Sequence, residues 1–270
     1  MKLAFIDEGK GPVLVFLHSY LLNKEIWKSQ IDFFKKDFRC ISIDLPGHGE
    51  SNNFVVDGDS LSLNNIAEEV EKLLKELNVD NYICIGNSLG GMLIPYLYCL
   101  NKENMRAAIM INAYLGNENE IESIKSLFLS FLNVASLYNN VPEGLVDQIV
   151  PLFFPYITDK NKDFRNKFSN KLKKLKGKQL ETLVKTGKAI FTRKENLLDI
   201  VKNMNIPICF INGERNILYS FDKIQNIYKS IPNAEVFKLK KTDQVLNIED
   251  KKEINDFIKD FFIKKRFYNI

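Results

Sequence analysis

Histidine is nearly absent from this chain. Of 270 residues only His18 and His48 are histidines, and both lie in the first third. Imidazole is the usual general base at neutral pH, so composition alone excludes chemistry that needs one in the last two thirds. Cysteine is sparse too. Cys40, Cys84, Cys99 and Cys209 are far apart and follow no zinc-type spacing, which predicts buried free thiols in a reducing compartment. No apolar run approaches the ~18–20 residues that span a bilayer, and Asp7 interrupts the first segment before a signal-type stretch forms. Glycine forms no phosphate-binding loop that would imply a nucleotide. The expectation is a cytoplasmic, non-transmembrane protein with no cofactor and no metal.

What the chain does contain is enough apolar sequence for a sizeable core. Hydrophobic residues make up 45% and charged residues 27% of it, ordinary values for a globular α/β domain. The net charge of +4 is unevenly spread: residues 160–194 hold thirteen Lys/Arg against two acids, Asp163 and Glu181. Such a run reads either as a solvated helical face or as an attraction for an acidic partner or anionic surface. Few aromatics alternate with these lysines, so nucleic acid is not favoured.

The most informative stretch is Ile83-Cys84-Ile85-Gly86-Asn87-Ser88-Leu89-Gly90-Gly91. A run of β-formers meets Gly-x-Ser-x-Gly-Gly, and a helix-compatible segment follows. A strand can turn abruptly into a helix around Ser88 only if the residues two before and two after carry almost no side chain. A second stretch, Asp44-Leu45-Pro46-Gly47-His48-Gly49-Glu50-Ser51, follows the strand predicted at 38–43. Together these resemble the serine esterase and lipase-like α/β-hydrolase family, from about residue 3 to residue 263. The resemblance implies a doubly wound, mostly parallel α/β sheet with an inserted helical cap. Residues 1–113 and 196–270 would form the core and 114–195 the cap (lid), where strand–helix alternation stops and prolines 142, 151 and 155 interrupt helical patterns.

Along the core, 2–6 and 13–17 read as a hairpin across Gly9-Lys10-Gly11-Pro12. Further strands are expected at 82–85, 107–111, 207–212 and 234–239. Helices are expected at 25–34, from Ser60 or Ser62 onward, and at 197–204, 221–231 and 245–263. In the cap, helical patterns cover 121–132, 145–153, 167–175 and 180–191. Apolar residues such as Phe128, Phe131, Phe153 and Phe154 either line a pocket there or pack the cap onto the core.

The resemblance also assigns a site. Ser88 takes the nucleophile position, and the backbone N–H groups of Leu89 and Tyr20 would hold the oxyanion. Ser19 stands where the family has glycine, a strain if that residue needs a positive φ. The acid position reads Asn216, in Gly213-Glu214-Arg215-Asn216. The histidine position, five residues before Glu249, reads Gln244. An amide has no useful basicity, so the triad lacks both partners of the serine. Glu214, Asp243, His18 and His48 are the residues that might substitute. The reading that follows is a pseudo-hydrolase that binds a small apolar ligand or a partner. The alternative is an active serine hydrolase of small carboxylic esters or acyl substrates with an unorthodox base; a third use of the scaffold is non-hydrolytic chemistry in which Ser88 only orients a ligand.

Overall fold

The computed structural model describes residues 2–52, 54, 61–116, 122–218, 221–240, 242, 244–245, 248 and 250–269. Of the residues named above, Ser60, Asp243 and Glu249 lie outside this set. Seven strands make one sheet: β1 (Phe5–Glu8), β2 (Val13–Leu17), β3 (Arg39–Ile43), β4 (Tyr82–Asn87), β5 (Met105–Ile111), β6 (Ile208–Gly213) and β7 (Ala234–Leu239). Their order across the sheet is β1-β3-β2-β4-β5-β6-β7. All neighbours from β3 to β7 pair parallel. β2, β4, β5 and β6 are almost wholly buried, as continuous apolar runs in a sheet covered on both faces require.

The predicted hairpin does not form. β1 pairs antiparallel with β3, with Phe5 opposite Ile43, and β3 separates it from β2. The glycine signal reported that the chain reverses, not which strand it then pairs with. The intervening loop packs on the chain end of the first helix. Gly9 (φ +85°) has no room for a side chain there, since a Cβ would lie 2.2 Å from the Phe38 carbonyl oxygen. Val13–Leu17, apolar on both faces, is stable only between two strands, whereas Phe5–Glu8 with its outer Asp7 and Glu8 suits an edge. Arg39 on β3 closes that edge with a forked bond to Asp7 (3.0 and 2.7 Å).

The helices are α1 (Lys28–Phe34), preceded by a 3-10 turn at Lys24–Trp27, then α2 (Leu63–Glu76), α3 (Leu89–Leu100), α4 (Glu122–Tyr138), α5 (Glu143–Phe153), α6 (Lys162–Leu172), α7 (Gly177–Phe191), α8 (Leu197–Val201), α9 (Phe221–Lys229) and α10 (Lys251–Lys264). Ser62 caps α2, accepting from the Asn65 N–H while Asn65 accepts from the Ser62 N–H. Two expectations need correction. α6 begins five residues before the predicted 167, with Phe164 the one apolar residue of its first turn. α4 runs to Tyr138, six residues past the predicted 132.

α4 to α7 lie between β5 and β6 in sequence. α4 packs on α7, where Phe128 and Phe191 stack at 4.3 Å. α7 in turn lies against the loops that leave β2 and β3. Tyr20 donates its hydroxyl to the Leu183 carbonyl (2.8 Å), and the Gln179 amide donates to the Gly47 carbonyl (3.2 Å). All four cysteines are free, and Cys40, Cys84 and Cys209 are buried. Cys99 is exposed, contrary to expectation, because it faces outward near the end of α3. Among the described residues no helix is long and apolar enough to cross a membrane.

Candidate active site

Ser88 follows β4 directly and is the first half-turn of α3, with φ 50° and ψ −109°. A non-glycine residue held there stores strain of about 1–3 kcal/mol, which persists only because the surroundings fix it. Its N–H donates to the Ile111 carbonyl at the end of β5 (2.8 Å), and the Gly90 N–H donates to the His18 carbonyl (3.1 Å). The glycines of the elbow are required by close approach. A Cβ on Gly86 would lie 2.3 Å from the Gly90 backbone, and one on Gly90 would lie 2.1 Å from the Leu17 carbonyl oxygen.

Every residue singled out for the site leaves the sheet at the same end, the carboxyl ends of its parallel strands. Tyr20 follows β2, Ser88 and Leu89 follow β4, Asn216 follows β6 and Gln244 follows β7. Open α/β sheets bind ligands along this edge. Asn112, just past β5, fastens three of these loops together. Its amide donates to the Gln244 carbonyl (3.0 Å), and its side-chain oxygen accepts from the Gly213 N–H (2.9 Å). Arg215 adds a backbone bond to the Thr242 carbonyl (2.9 Å).

The wall beside Tyr20 is held by Asp44, which is fully buried. Its carboxylate accepts from the Lys24 N–H (2.7 Å), the Lys24 ammonium (2.7 Å) and the Glu50 N–H (2.8 Å). Burial opposes the charge on Lys24, but its bonds to Asp44 and Glu50 outweigh that and keep its pKa above the ordinary lysine value. Gly49 (φ +51°) is what lets the chain fold around this carboxylate, since a Cβ there would lie 2.2 Å from Asp44 Oδ2. The strain anticipated at Ser19 falls on Leu21 instead, at φ 64°.

Both histidines are consumed by the backbone. His18 Nε2 accepts from the Leu45 N–H (3.0 Å), which leaves Nδ1 to donate to the Ser19 carbonyl (2.8 Å). His48 repeats the arrangement, accepting from the Leu21 N–H (3.1 Å) and donating to the Pro46 carbonyl (2.9 Å). The basic lone pair of each ring is therefore occupied. Burial pushes the His18 pKa down to about 3, with nearby Lys171 and Lys24 adding to the effect. It likewise drives His48 well below the ordinary histidine value, helped by His18 and Lys171. With both nitrogens bonded to backbone groups, neither ring has a free lone pair for the Ser88 proton.

This has a consequence for stability. Both rings are neutral when folded but take up protons when unfolded below ~6.5. The His18 contribution is complete above that pH and is lost as pH falls toward about 3, and His48 acts in the same direction. From pH ~6.5 to ~5 the unfolding free energy in urea melts should drop by about 2 kcal/mol from His18, with His48 adding to the fall. A flat profile over that window would contradict the assignment.

The amides at the other two positions differ. Asn216 is 4% exposed and its side-chain oxygen accepts from the Leu218 N–H (3.0 Å). Gln244 is 1% exposed, and neither its Nε2 nor its Oε1 has a hydrogen-bond partner among the described residues. Glu214 faces solvent beside Lys238 (3.4 Å) and is not part of this buried cluster. Asp243 lies outside the described residues.

A family profile described as the alpha/beta hydrolase fold matches residues 12–156. The chain belongs to the α/β-hydrolase family. Over 269 residues it is 23% identical to the AB hydrolase superfamily protein YisY of Bacillus subtilis (strain 168), covering 94% of this chain and 93% of that one. Its fold is similar to that of MenH from S. aureus, with a TM-score of 0.81 at 19% identity and coverage of 98% and 99%. It is equally similar to a thermophilic esterase from Thermogutta terrifontis, with a TM-score of 0.81 at 16% identity and coverage of 97% and 93%.

Within this α/β-hydrolase, two residues escaped the sequence reading. Asn112 carries a faint signal, an asparagine closing an apolar strand, the residue type that tolerates the φ of 46° found there. The Tyr20 hydroxyl, which ties the site loop to α7, carries none. The orphaned Gln244 amide yields a stability prediction. Each buried polar group without a partner costs about 1–3 kcal/mol, so Gln244→Leu should raise Tm by several degrees in a thermal melt. A lowered Tm would show that the amide is satisfied in solution.

Proposed function

We propose that this member of the α/β-hydrolase family keeps the nucleophile elbow but has lost the acid and base of the triad, and that it binds a small, largely apolar carbonyl compound instead of hydrolysing esters at triad rates. The observation that carries this reading is the fate of the histidines. Both rings have their Nε2 engaged by backbone N–H groups, and the residue aligned with the catalytic histidine, Gln244, has no basicity. The buried Gln244 amide, without a partner among the described residues, supplies a donor and an acceptor suited to a carbonyl-bearing ligand. The backbone N–H groups of Leu89 and Tyr20 would polarise the same carbonyl, and Ser88 would orient it.

In this reading 1–113 and 196–270 form the core, and 114–195 is a cap over the ligand. Contacts between the 154–161 segment and the site loops support that arrangement. Arg215, beside Asn216, sits 5.0 Å over the Tyr156 ring, and Lys160 pairs with Asp250 (2.7 Å). The four free thiols agree with a cytoplasmic location.

A second reading, a working serine hydrolase with an unorthodox base, is favoured by the retained strain at Ser88. One experiment separates the two: fluorophosphonate labelling and p-nitrophenyl acetate turnover, with Ser88→Ala as control. The proposal expects no Ser88-dependent labelling and turnover within about tenfold of the Ser88→Ala rate. Strong Ser88-dependent labelling in the folded protein would overturn it.

A further inference from the structure

The lysine-rich helices contain a feature that the carbonyl site does not use. Lys167 and Lys171 of α6, with Lys174 just beyond its end, line a cavity of about 330 Å³ together with Asn170, Leu175 and Gln179. Among the described residues no carboxylate lines it. Other lysines of the same segment are ion-paired: Lys160 with Asp250, Lys173 with Glu143 and Lys185 with Glu181. Among the described residues, the three lysines of the cavity form no ion pair.

Lys171 is the least solvated of them. Burial lowers its pKa, and its interactions with charged groups are with Asp44, which already holds Lys24, and with Lys24 itself, which repels it. The ammonium thus lies partly withdrawn from water, and the nearest opposite charge is committed elsewhere. Withdrawing a cation without a partner is unfavourable, and an anion in the cavity would reverse that cost. Gln179, whose amide bonds the Gly47 carbonyl, sets the cavity against the 44–51 loop. It also places the first turn of α7, which has no acidic residue, at the rim, where the helix dipole favours negative charge.

We infer that this cavity is a binding site for a phosphoryl group carried by a small molecule. A dianion with three terminal oxygens suits a cavity lined by three lysines better than a single carboxylate does, since each lysine can make its own charge-assisted bond. The volume lies at the low end of the about 300–1,000 Å³ found for small-molecule sites, enough for a phosphoryl group and the first atoms of its ester. None of its lining residues is among those assigned to the Ser88 site, and the inference stands whether or not that serine turns over substrate.

The test is a titration of the full-length protein with inorganic phosphate, followed by thermal shift and calorimetry, against sodium chloride at matched ionic strength. The expected result is a saturable rise in Tm with half-saturation at millimolar concentration or below. Lys171→Met, and separately Lys167→Gln/Lys174→Gln, should weaken phosphate roughly tenfold or more, while Lys188→Gln on the exposed face of α7 should leave it unchanged. Two variants guard against loss of folding, which the starting Tm reports. No saturable response beyond that of chloride, or wild-type half-saturation in Lys171→Met, overturns the proposal. So does sedimentation with phosphatidic acid vesicles in a protein that shows no response to inorganic phosphate, which would assign these lysines to a membrane surface.

Discussion

Installing a carboxylate and an imidazole at the two amide positions, in Asn216→Asp/Gln244→His, is expected to raise Ser88-dependent hydrolysis of p-nitrophenyl acetate at least about 100-fold over wild type. In a serine hydrolase the loss of the histidine alone costs about 10⁶ in turnover. Only part of that should return, because the surrounding loop has not been shaped around an imidazole. The scaffold is otherwise prepared: Asn112 already holds the Gln244 backbone, and an aspartate at 216 can keep the bond from the Leu218 N–H.

The two substitutions should also be coupled. Asn216→Asp alone puts a charge at a site 4% exposed and should lower Tm, since an unpaired buried carboxylate is costly. Adding Gln244→His supplies the partner and should recover part of the loss. Turnover in the double variant should rise through a pKa near that of histidine, ~6.5, and vanish with Ser88→Ala. A double variant that is folded but no faster than wild type would show that Asn216 and Gln244 are not the acid and base positions.

The second large effect concerns stability. Asp44→Ala should destabilise the protein by about 3–5 kcal/mol, the usual cost of breaking a buried ion pair by removing one partner. For a domain of this size that corresponds to a fall in Tm of roughly 10 °C. The variant leaves the Lys24 ammonium with only the largely exposed Glu50 as ion-pair partner, and it strips acceptors from the Lys24 and Glu50 N–H groups. Because the same loop carries His48, which receives the Leu21 N–H, the change should reach the loop that bears Tyr20. A thermal melt within about 2 °C of wild type would refute this role.

The residues themselves determined the elbow, the parallel core and the lack of any histidine beyond position 48. Close-packed glycines around Ser88 permit one chain path, doubly apolar runs belong inside a covered sheet, and composition fixes how many imidazoles the chain can place. These are local or compositional constraints, and they need no knowledge of neighbours. Tertiary structure decided the rest. Strand pairing at the edge depended on which partner could bury Val13–Leu17 on both sides, so β3 took the place that a glycine turn had suggested for β1. The neutrality of His18 and His48 depended on their burial and on backbone N–H groups 27 residues away in sequence. Which lysines of residues 160–194 form no ion pair among the described residues depended on which carboxylates their neighbours had already claimed. Each is a matter of who is adjacent in space, which a linear pattern of residue types does not encode.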